Sequence, residues 1–190
     1  MRVILETERL ILREWTPEDA PAAFAIYGDP AVMRYIGAMG TPDPDVDHTR
    51  AGLERAIARY RQRPGFGFWA AVERASGEVV GAGLLVPLEG GPEVEVGYHL
   101  ARWVWGRGYA TELARALVAY GFDHLGLHRI VGVAYPANRA SCRVLEKAGL
   151  IHQGRRRYYG QDLEYYVIER VQADAGEPPL PVGQVDSHRD

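Results

Sequence analysis

The stretch VWGRGYATE (104–112) places two glycines around an arginine, directly before a helical run. Apolar residues recur at helical spacing in the ATELARALVAY that completes this run, and EVEVGYHL (93–100) upstream has the pattern of a strand. Gly106 and Gly108 lack a Cβ, so they let another group come very close to the backbone. The chain is therefore expected to pass from a strand through a tight turn into a helix whose first N–H groups are accessible.

Periodicity elsewhere predicts a mixed fold. Strands are expected at 3–15, 66–74, 78–86, 93–100, 128–135, 150–158 and 162–170. Helices are expected after Thr16-Pro17, after a cap at Asp47, at 110–125 and at 138–149. Three tightly connected strands predict a meander, and the second half of the chain alternates strands with helices. The fold class is α/β or α+β, a mixed, mostly antiparallel sheet of about seven strands with about four helices.

Composition and charge limit the class of protein. The 190 residues suit one domain at 1–172, followed by a Pro-rich segment at 173–190 that is interpreted as a flexible tail. The formal net charge of −3 argues against a nucleic-acid partner. The single cysteine, Cys142, excludes an intrachain disulfide and predicts a cytoplasmic protein. No apolar run approaches the roughly 20 residues of a membrane span, and the histidines show no metal-ligand spacing.

The glycine turn has the chemistry of a phosphate site. A helix start exposes unpaired N–H groups and the positive end of the helix dipole, and Arg107 and Thr111 add further donors. A P-loop is excluded because no Gly-Lys pair is present, and a dinucleotide fingerprint is excluded because position 111 is not glycine. From the residues alone, two interpretations remain: a pyrophosphate cradle, or glycines that merely permit a tight turn.

Three stretches together resemble one known family. The loop and helix WGRGYATELARALVAYGF resemble the acetyl-CoA-binding signature of the GNAT superfamily of N-acetyltransferases. LETERLILREW and NRASCRVLEKAGLIHQGRRR resemble the opening strand and the Asn-x-x-Ser helix of its ribosomal-protein alanine N-acetyltransferase branch. These stretches follow the family's order over residues 3–170. The resemblance implies a splayed, GNAT-like sheet, acetyl-CoA as co-substrate, no metal, and transfer of an acetyl group to a primary amine.

The resemblance also implies contacts with the cofactor. Backbone amides of one run would hold the CoA pyrophosphate: Gly106, Arg107, Gly108, Tyr109, Ala110 and Thr111. The pantetheine arm would pair with the strand end near His99 and Leu100. Trp105, at the edge of the site, departs from the usual Gln or Arg of the family, so no side-chain hydrogen bond of that kind is expected. Asn138 is either a helix N-cap or a ligand of the cofactor amides.

The resemblance places a catalytic carboxylate at Glu95, in the middle of the strand. Alternation along the strand turns Glu93 and Glu95 away from the face of Val94 and Val96. A carboxylate that lines a partly desolvated cleft has a raised pKa, which suits a general base acting directly or through a water. The alternative is that the two glutamates form only the wet face of the strand.

The departing thiolate needs a proton or a hydrogen bond. Many family members supply a Tyr seven residues after the Asn of the last helix, but here that position is Leu145. Ser141 is the substitute offered by this branch, and the alternative is that Ser141 only caps the helix start. Cys142 is predicted to be a small buried side chain rather than a nucleophile.

The sequence leaves the acceptor open between a protein N-terminal amine and a small amine, such as an antibiotic, a polyamine or an amino acid. A rival of another class is an acyl-CoA-binding module without turnover, because the usual Tyr is missing. Arg155, Arg156 and Arg157 are interpreted as a charged hairpin rim, with an acidic substrate or the CoA 3′-phosphate as the alternative. A homodimer is compatible with the resemblance and rests on analogy alone.

Overall fold

The computed structural model describes residues 2–37 and 40–170, so the segment predicted as a tail at 173–190 lies outside the described residues. The strands of the described part are β1 (Val3–Glu6), β2 (Leu10–Arg13), β3 (Gly67–Glu73), β4 (Val79–Pro87), β5 (Val94–Leu100), β6 (Arg129–Ala134), β7 (Ile151–Tyr158) and β8 (Gln161–Glu169). The helices are α1 (Ala20–Tyr27), α2 (Pro30–Met33), α3 (Val46–Arg61), α4 (Tyr109–Asp123) and α5 (Arg139–Lys147).

All eight strands form one sheet in the order β1-β2-β3-β4-β5-β6-β8-β7. Its pairings are antiparallel except that of β5 with β6, which is parallel because α4 carries the chain back between them. These two strands share a single register position, Glu95 opposite Val131, and part beyond it. The predicted fold class, a mixed and mostly antiparallel splayed sheet with flanking helices, is therefore confirmed.

Neighbouring residues of β5 show how the helices are layered. The hydroxyl of Tyr27 on α1 lies 3.2 Å from His99 Nδ1, whereas the hydroxyl of Tyr98 lies 3.0 Å from Ser141 Oγ on α5. Adjacent side chains of a strand point to opposite faces, so α1 and α5 lie on opposite faces of β5. Glu95 shares the face of His99 and therefore lies on the α1 side.

Helix α4 is anchored by its apolar stripe. Leu113 and Leu117 are fully buried, and a Cβ added at Gly83 on β4 would come within 3.2 Å and 3.0 Å of them. The glycine therefore lets the helix sit directly on the strand. Burial of each leucine contributes about 1.5–3 kcal/mol, which fixes the start of the helix relative to the sheet.

The prediction of one strand over residues 3–15 is wrong, because the chain turns back within it to form β1 and β2. The N–H of Thr7 donates to the Leu10 carbonyl at 2.8 Å, and the Leu10 N–H donates to the Thr7 hydroxyl oxygen at 2.9 Å. This polar turn interrupts the apolar alternation and accounts for the eighth strand. The fifth helix, α2, was not predicted, since it spans only Pro30–Met33.

The predicted helix cap at Asp47 is also wrong. The helix α3 begins one residue earlier, at Val46, and the carboxylate of Asp45 accepts the N–H of His48 at 2.7 Å. Asp45 is therefore the residue that satisfies an N–H group at the helix start. Asp47 lies in the first turn, where its negative charge still complements the helix dipole.

Candidate active site

The glycine turn connects β5 to α4 as predicted. Gly106 and Gly108 have φ of 78° and 82°, values in the left-handed region that glycine adopts without strain. The Glu112 N–H donates to the Gly108 carbonyl at 3.1 Å, so the N–H groups before it begin α4 without a partner inside the helix. A Cβ at Gly106 would meet no atom within 4 Å. Within the run predicted to hold the pyrophosphate, the Arg107 N–H already donates to the Val104 carbonyl at 3.4 Å, so the donors without a partner inside the helix are those that begin α4.

The β1–β2 turn holds the glycine turn in place. Arg9 donates from Nη1 to the Arg107 carbonyl at 2.8 Å and from Nε to Glu112 Oε2 at 2.7 Å. The hydroxyl of Thr7 donates to the other Glu112 oxygen at 2.6 Å. Sequence reasoning missed these positioning residues. The available signal was the Thr-Glu-Arg turn in a motif already noted, together with a glutamate in the first turn of α4.

The side chains of the turn face different partners. Tyr109 is buried and its hydroxyl donates to Glu73, while an Arg107 guanidinium nitrogen lies 3.6 Å from the same carboxylate. Hydrogen bonding to Tyr109 and, to a smaller extent, the Arg107 charge lower the pKa of Glu73. Ala110 and Thr111 are half-buried in the first turn of α4.

Trp105 contacts the end of β5. Its indole N–H donates to the Leu100 carbonyl at 2.9 Å, and half of its surface is exposed beside the turn. The single hydrogen-bond donor of the Trp105 side chain is therefore bound within the protein. Leu100 itself is buried, and its carbonyl already accepts this one hydrogen bond.

His99 has a structural environment. Its Nδ1 lies 3.2 Å from the Tyr27 hydroxyl, and its ring lies 5.9 Å from that of Phe68. Burial lowers the pKa of His99 to about 4, so the imidazole is neutral at pH 7. It lines the α1 side of β5 without adding charge there.

Glu95 lies at the point where β5 and β6 part. It is half-buried, Val86 and Val131 stand opposite it on the two neighbouring strands, and the hydroxyl of Tyr159 donates to its Oε2 at 2.8 Å. Burial raises the pKa of Glu95 to about 7, against the smaller lowering effect of the Tyr159 hydrogen bond. A carboxyl with this pKa accepts and releases a proton near neutrality.

Glu93 has the opposite environment, although it belongs to the same segment. Tyr158 and Tyr165 donate their hydroxyls to it, and Arg129 Nε lies 3.3 Å from Oε1. Burial opposes ionisation, but these hydrogen bonds and the arginine charge outweigh it and lower the pKa of Glu93. Glu93 is therefore a structural carboxylate, and the two glutamates do not form a uniform wet face.

The start of α5 brings a second set of polar groups to the sheet. The Asn138 carbonyl oxygen accepts the Ser141 N–H at 3.2 Å, which makes Asn138 the N-cap. The Ser141 hydroxyl lies 3.0 Å from that of Tyr98, which also donates to the Ser141 carbonyl at 3.1 Å. Tyr98 was not predicted, because only the pairing of β5 with the α5 layer brings it to Ser141. Leu145 is buried in the core.

Other residues considered from sequence stay outside this arrangement. Cys142 is buried, as predicted for a small apolar side chain. Arg155 pairs with Glu164 at 2.9 Å, and Arg156 lies 3.9 Å above the ring of Tyr165. These arginines therefore make their contacts within the β7–β8 hairpin, in agreement with their interpretation as a charged rim.

The three predicted elements are all arranged around β5. The glycine turn follows β5, Glu95 lies on the α1 side of that strand, and Ser141 lies on the α5 side. Beyond the pairing of Glu95 with Val131, β5 and β6 share no further register position. Among the residues the structure describes, no group of three or more His, Cys, Asp or Glu is arranged to hold a metal ion. No helix in the described ranges has the length and apolar character needed to cross a bilayer.

Comparison with known proteins agrees with this arrangement. The sequence profile of the Acetyltransferase (GNAT) domain family matches residues 9–151. An uncharacterized N-acetyltransferase of Bacillus subtilis, YoaA, is 34% identical over 157 residues, covering 82% of this chain and 87% of YoaA. A solved acetyltransferase from Agrobacterium tumefaciens is similar with a TM-score of 0.73 and 30% identity, covering 90% and 95% of the two chains.

The splayed sheet with a glycine turn before its central helix defines the class of acetyl-CoA-dependent acyltransferases. The chain belongs to the GNAT acetyltransferase family, and it is an acetyl-CoA-dependent N-acetyltransferase. RimL, a ribosomal alpha-N-protein acetyltransferase solved with coenzyme A, has a TM-score of 0.73 over 88% of this chain and 98% of its own. Its identity is only 17%, so this likeness extends to the fold alone.

Proposed function

We propose that the protein transfers the acetyl group of acetyl-CoA to a primary amine by direct attack within a ternary complex. The observation that carries the proposal is the position of Glu95, half-buried where β5 and β6 part and with a pKa raised to about 7 by burial. Both reactants would be held at this gap, and holding them together supplies much of the rate acceleration.

The residues of the glycine turn fit the pyrophosphate of coenzyme A. The open space at Gly106 and the N–H groups that begin α4 offer hydrogen-bond donors without a side chain in the way. The backbone at His99 and Leu100 would pair with the pantetheine arm, with Trp105 beside it and the Asn138 amide near its far end. When bound, acetyl-CoA supplies the thioester carbonyl and the departing thiol.

Glu95 would remove the proton of the incoming amine, directly or through a water. An amine arrives mainly as an ammonium ion at neutral pH and is nucleophilic only after it loses a proton. A carboxylate that is poorly solvated binds that proton more readily than an exposed one does. Its pKa of about 7 lets the proton leave again to solvent after each turnover.

Ser141 would stabilise the thiolate as it departs. Its hydroxyl is held at the start of α5, and the neighbouring Tyr98 hydroxyl fixes its direction from β5. When the Tyr98 hydroxyl donates to Ser141 Oγ instead of to the Ser141 carbonyl, the Ser141 proton is left for another acceptor. Leu145 replaces the Tyr that many family members use, which makes this pair the available donor.

The acceptor is a protein N-terminal amine or a small amine. The sequence likeness to the ribosomal-protein alanine N-acetyltransferase branch in residues 5–15 and in α5 favours the N-terminal amine. Glu89, exposed near the Tyr159 that contacts Glu95, adds negative charge on the same side of the sheet and favours a cationic acceptor. A protein N-terminal amine and a small amine both carry a positive charge when protonated, so Glu89 fits either acceptor.

The test is release of free CoA thiol from acetyl-CoA in the presence of a panel of amines and N-terminal peptides. Release that depends on an amine, with acetylated product detected by mass spectrometry, is the expected result. Tight acetyl-CoA binding with no release for any acceptor contradicts the proposal and favours the acyl-CoA-binding module. A preference for peptides over polyamines and aminoglycosides distinguishes the two acceptor types.

A further inference from the structure

Two loops from distant parts of the chain meet beside Glu95. One contains Glu89, in the short 3-10 segment after β4, and the other contains Tyr159, in the turn between β7 and β8. Their φ angles are 47° and 52°, and in the described ranges no other residue besides glycine has a positive φ. Side chains larger than hydrogen rarely adopt this conformation, because the Cβ approaches the carbonyl oxygen.

The two unusual residues bind each other. The Tyr159 N–H donates to Glu89 Oε1 at 3.0 Å, and the Glu89 N–H donates to the Tyr159 hydroxyl oxygen at 3.2 Å. That hydroxyl then donates its own proton to Glu95 Oε2 at 2.8 Å. The two loops are therefore joined by one chain of hydrogen bonds that ends on Glu95.

We infer that Glu89 and Tyr159 form a latch that positions the Glu95 carboxylate at the gap between β5 and β6. The inference rests on the proposed function, since it explains how the proposed base is aimed. The positive φ of Tyr159, together with that of Gly160 at 71°, belongs to the two-residue turn of the β7–β8 hairpin, and the hydrogen bonds to Glu89 and Glu95 fix where the Tyr159 side chain lies. Tyr159 is thus a positioning residue, and Glu89 holds Tyr159.

The neighbouring tyrosine provides an internal comparison. Tyr158 also donates its hydroxyl to a glutamate, but that glutamate is Glu93, at 3.0 Å. The two adjacent tyrosines therefore serve two different carboxylates of the same segment. Removal of the Tyr159 hydroxyl should change the pKa of Glu95, and removal of the Tyr158 hydroxyl should not.

The charged groups around Glu95 are few. The neighbouring strands β4 and β6 present Val86 and Val131 opposite it. The loops contribute Glu89 and Tyr159, and Glu93 lies two residues along its own segment. The charge of Glu93 is compensated by Arg129, and its remaining partners are the hydroxyls of Tyr158 and Tyr165.

Loss of the latch should raise the pKa of Glu95. The hydroxyl of Tyr159 stabilises the ionised carboxylate and so lowers the pKa of Glu95. In Tyr159→Phe this effect is lost, whereas the effect of burial, which raises the pKa, remains. We expect an upward shift of about one pH unit, which lowers the ionised fraction at pH 7 about fivefold. The turnover number should therefore fall about fivefold at pH 7 and recover to within about twofold of wild type at pH 9.

The experiment follows Glu95 in the free protein by carbon NMR of labelled glutamate, assigned by the loss of its signal in Glu95→Gln. Tyr159→Phe should raise the titration midpoint, whereas Tyr158→Phe should leave it unchanged. Glu89→Ala and Glu89→Gln remove the same negative charge, but only Gln keeps an accepting oxygen for the Tyr159 N–H, so the midpoint should be higher in Glu89→Ala than in Glu89→Gln. A pH–rate profile of each variant accompanies the titration.

The inference is overturned if Tyr159→Phe leaves the Glu95 midpoint unchanged, or if Tyr158→Phe moves it equally. It is also overturned if Tyr159→Phe lowers the rate by the same factor at every pH, since that is the mark of a purely structural role. Failure of the proposed function is a different result. In that case the wild type releases no CoA with any amine, while the titration midpoints still differ as stated.

Discussion

Glu93 and Glu95 lie two residues apart on one segment, and their environments shift their pKa values in opposite directions. Partners from β6, β7 and β8 hold Glu93 ionised, whereas burial raises the pKa of Glu95 to about 7. Pairs of titratable groups whose environments drive their pKa values apart are typical of active sites. The contrast assigns Glu93 to the structure and Glu95 to the proposed chemistry.

The first prediction concerns stability. In the folded state the pKa of Glu95 is above its ordinary value, so the protonated carboxyl favours the folded state. This contribution to the free energy of unfolding is fully present below pH 4.5 and is lost as the pH rises through about 7. Glu95→Gln should therefore stabilise the protein at pH 8, by about 1–3 kcal/mol. Chemical denaturation at pH 5 and pH 8 measures the difference.

The matched control is Glu93→Gln. The lowered pKa of Glu93 means that its stabilisation is present above its unfolded pKa and is lost as the pH falls through its folded value. This substitution should destabilise the protein at pH 8 by about 1–2 kcal/mol, because Arg129 and two tyrosines lose a charged partner. If both substitutions changed the free energy of unfolding at pH 8 in the same direction, the account of both carboxyls would be contradicted.

The second prediction concerns the rate. Because Glu95 acts as a base only when ionised, kcat should rise with pH through an apparent pKa near 7. Glu95→Gln should lower kcat by about a hundredfold and leave the KM for acetyl-CoA within about twofold. Steady-state CoA release measures both quantities. A Gln variant with the wild-type rate would remove Glu95 from the mechanism.

The third prediction concerns Ser141 and Tyr98. Ser141→Ala should lower kcat about tenfold, and Tyr98→Phe should lower it about threefold, because Tyr98 acts through the serine hydroxyl. The double variant should be no slower than Ser141→Ala alone, since the two hydroxyls form one unit. Cys142→Ala, on the same helix but buried, should keep the wild-type kcat. Additive losses would show that the hydroxyls act separately.

The fourth prediction concerns the link between the first hairpin and the glycine turn. Arg9→Met removes the hydrogen bonds to Glu112 and to the Arg107 carbonyl, so we expect a loss of about 1–2 kcal/mol in stability and weaker CoA binding. Arg74→Met is the control, because Arg74 pairs with an exposed Glu6 on the same hairpin. Equal effects of the two variants on the Kd of CoA would argue against a positioning role for Arg9.

Sequence patterns predicted those parts of the site that are formed by residues close to one another in the chain. The strand, the glycine turn and the helix 109–123 are continuous in sequence, and Asn138 caps its helix three residues from its partner. Tyr159 and Glu95 are 64 positions apart, and Arg9 and Glu112 are 103 apart. Such contacts depend on sheet order, which a single sequence does not specify.

The first strand shows the same limit at short range. The alternation of apolar residues in 3–15 indicated one strand, but the Thr7 hydroxyl oxygen accepts the Leu10 N–H and closes a turn within it. Threonine is common inside strands, so its side-chain hydrogen bond to the backbone was not apparent from the sequence. The same turn supplies Thr7 and Arg9 to the glycine turn, which explains why the missed hairpin and the missed positioning residues coincide.

The most direct test of the central claim is calorimetric titration of coenzyme A into wild type, Gly106→Ala and Gly77→Ala. Both glycines have a positive φ and no atom within 4 Å of an added Cβ, so the strain of the two substitutions is comparable. We expect wild-type binding, a loss of about tenfold or more in Gly106→Ala, and no change in Gly77→Ala. No heat in wild type, or equal affinity in all three proteins, would contradict the account.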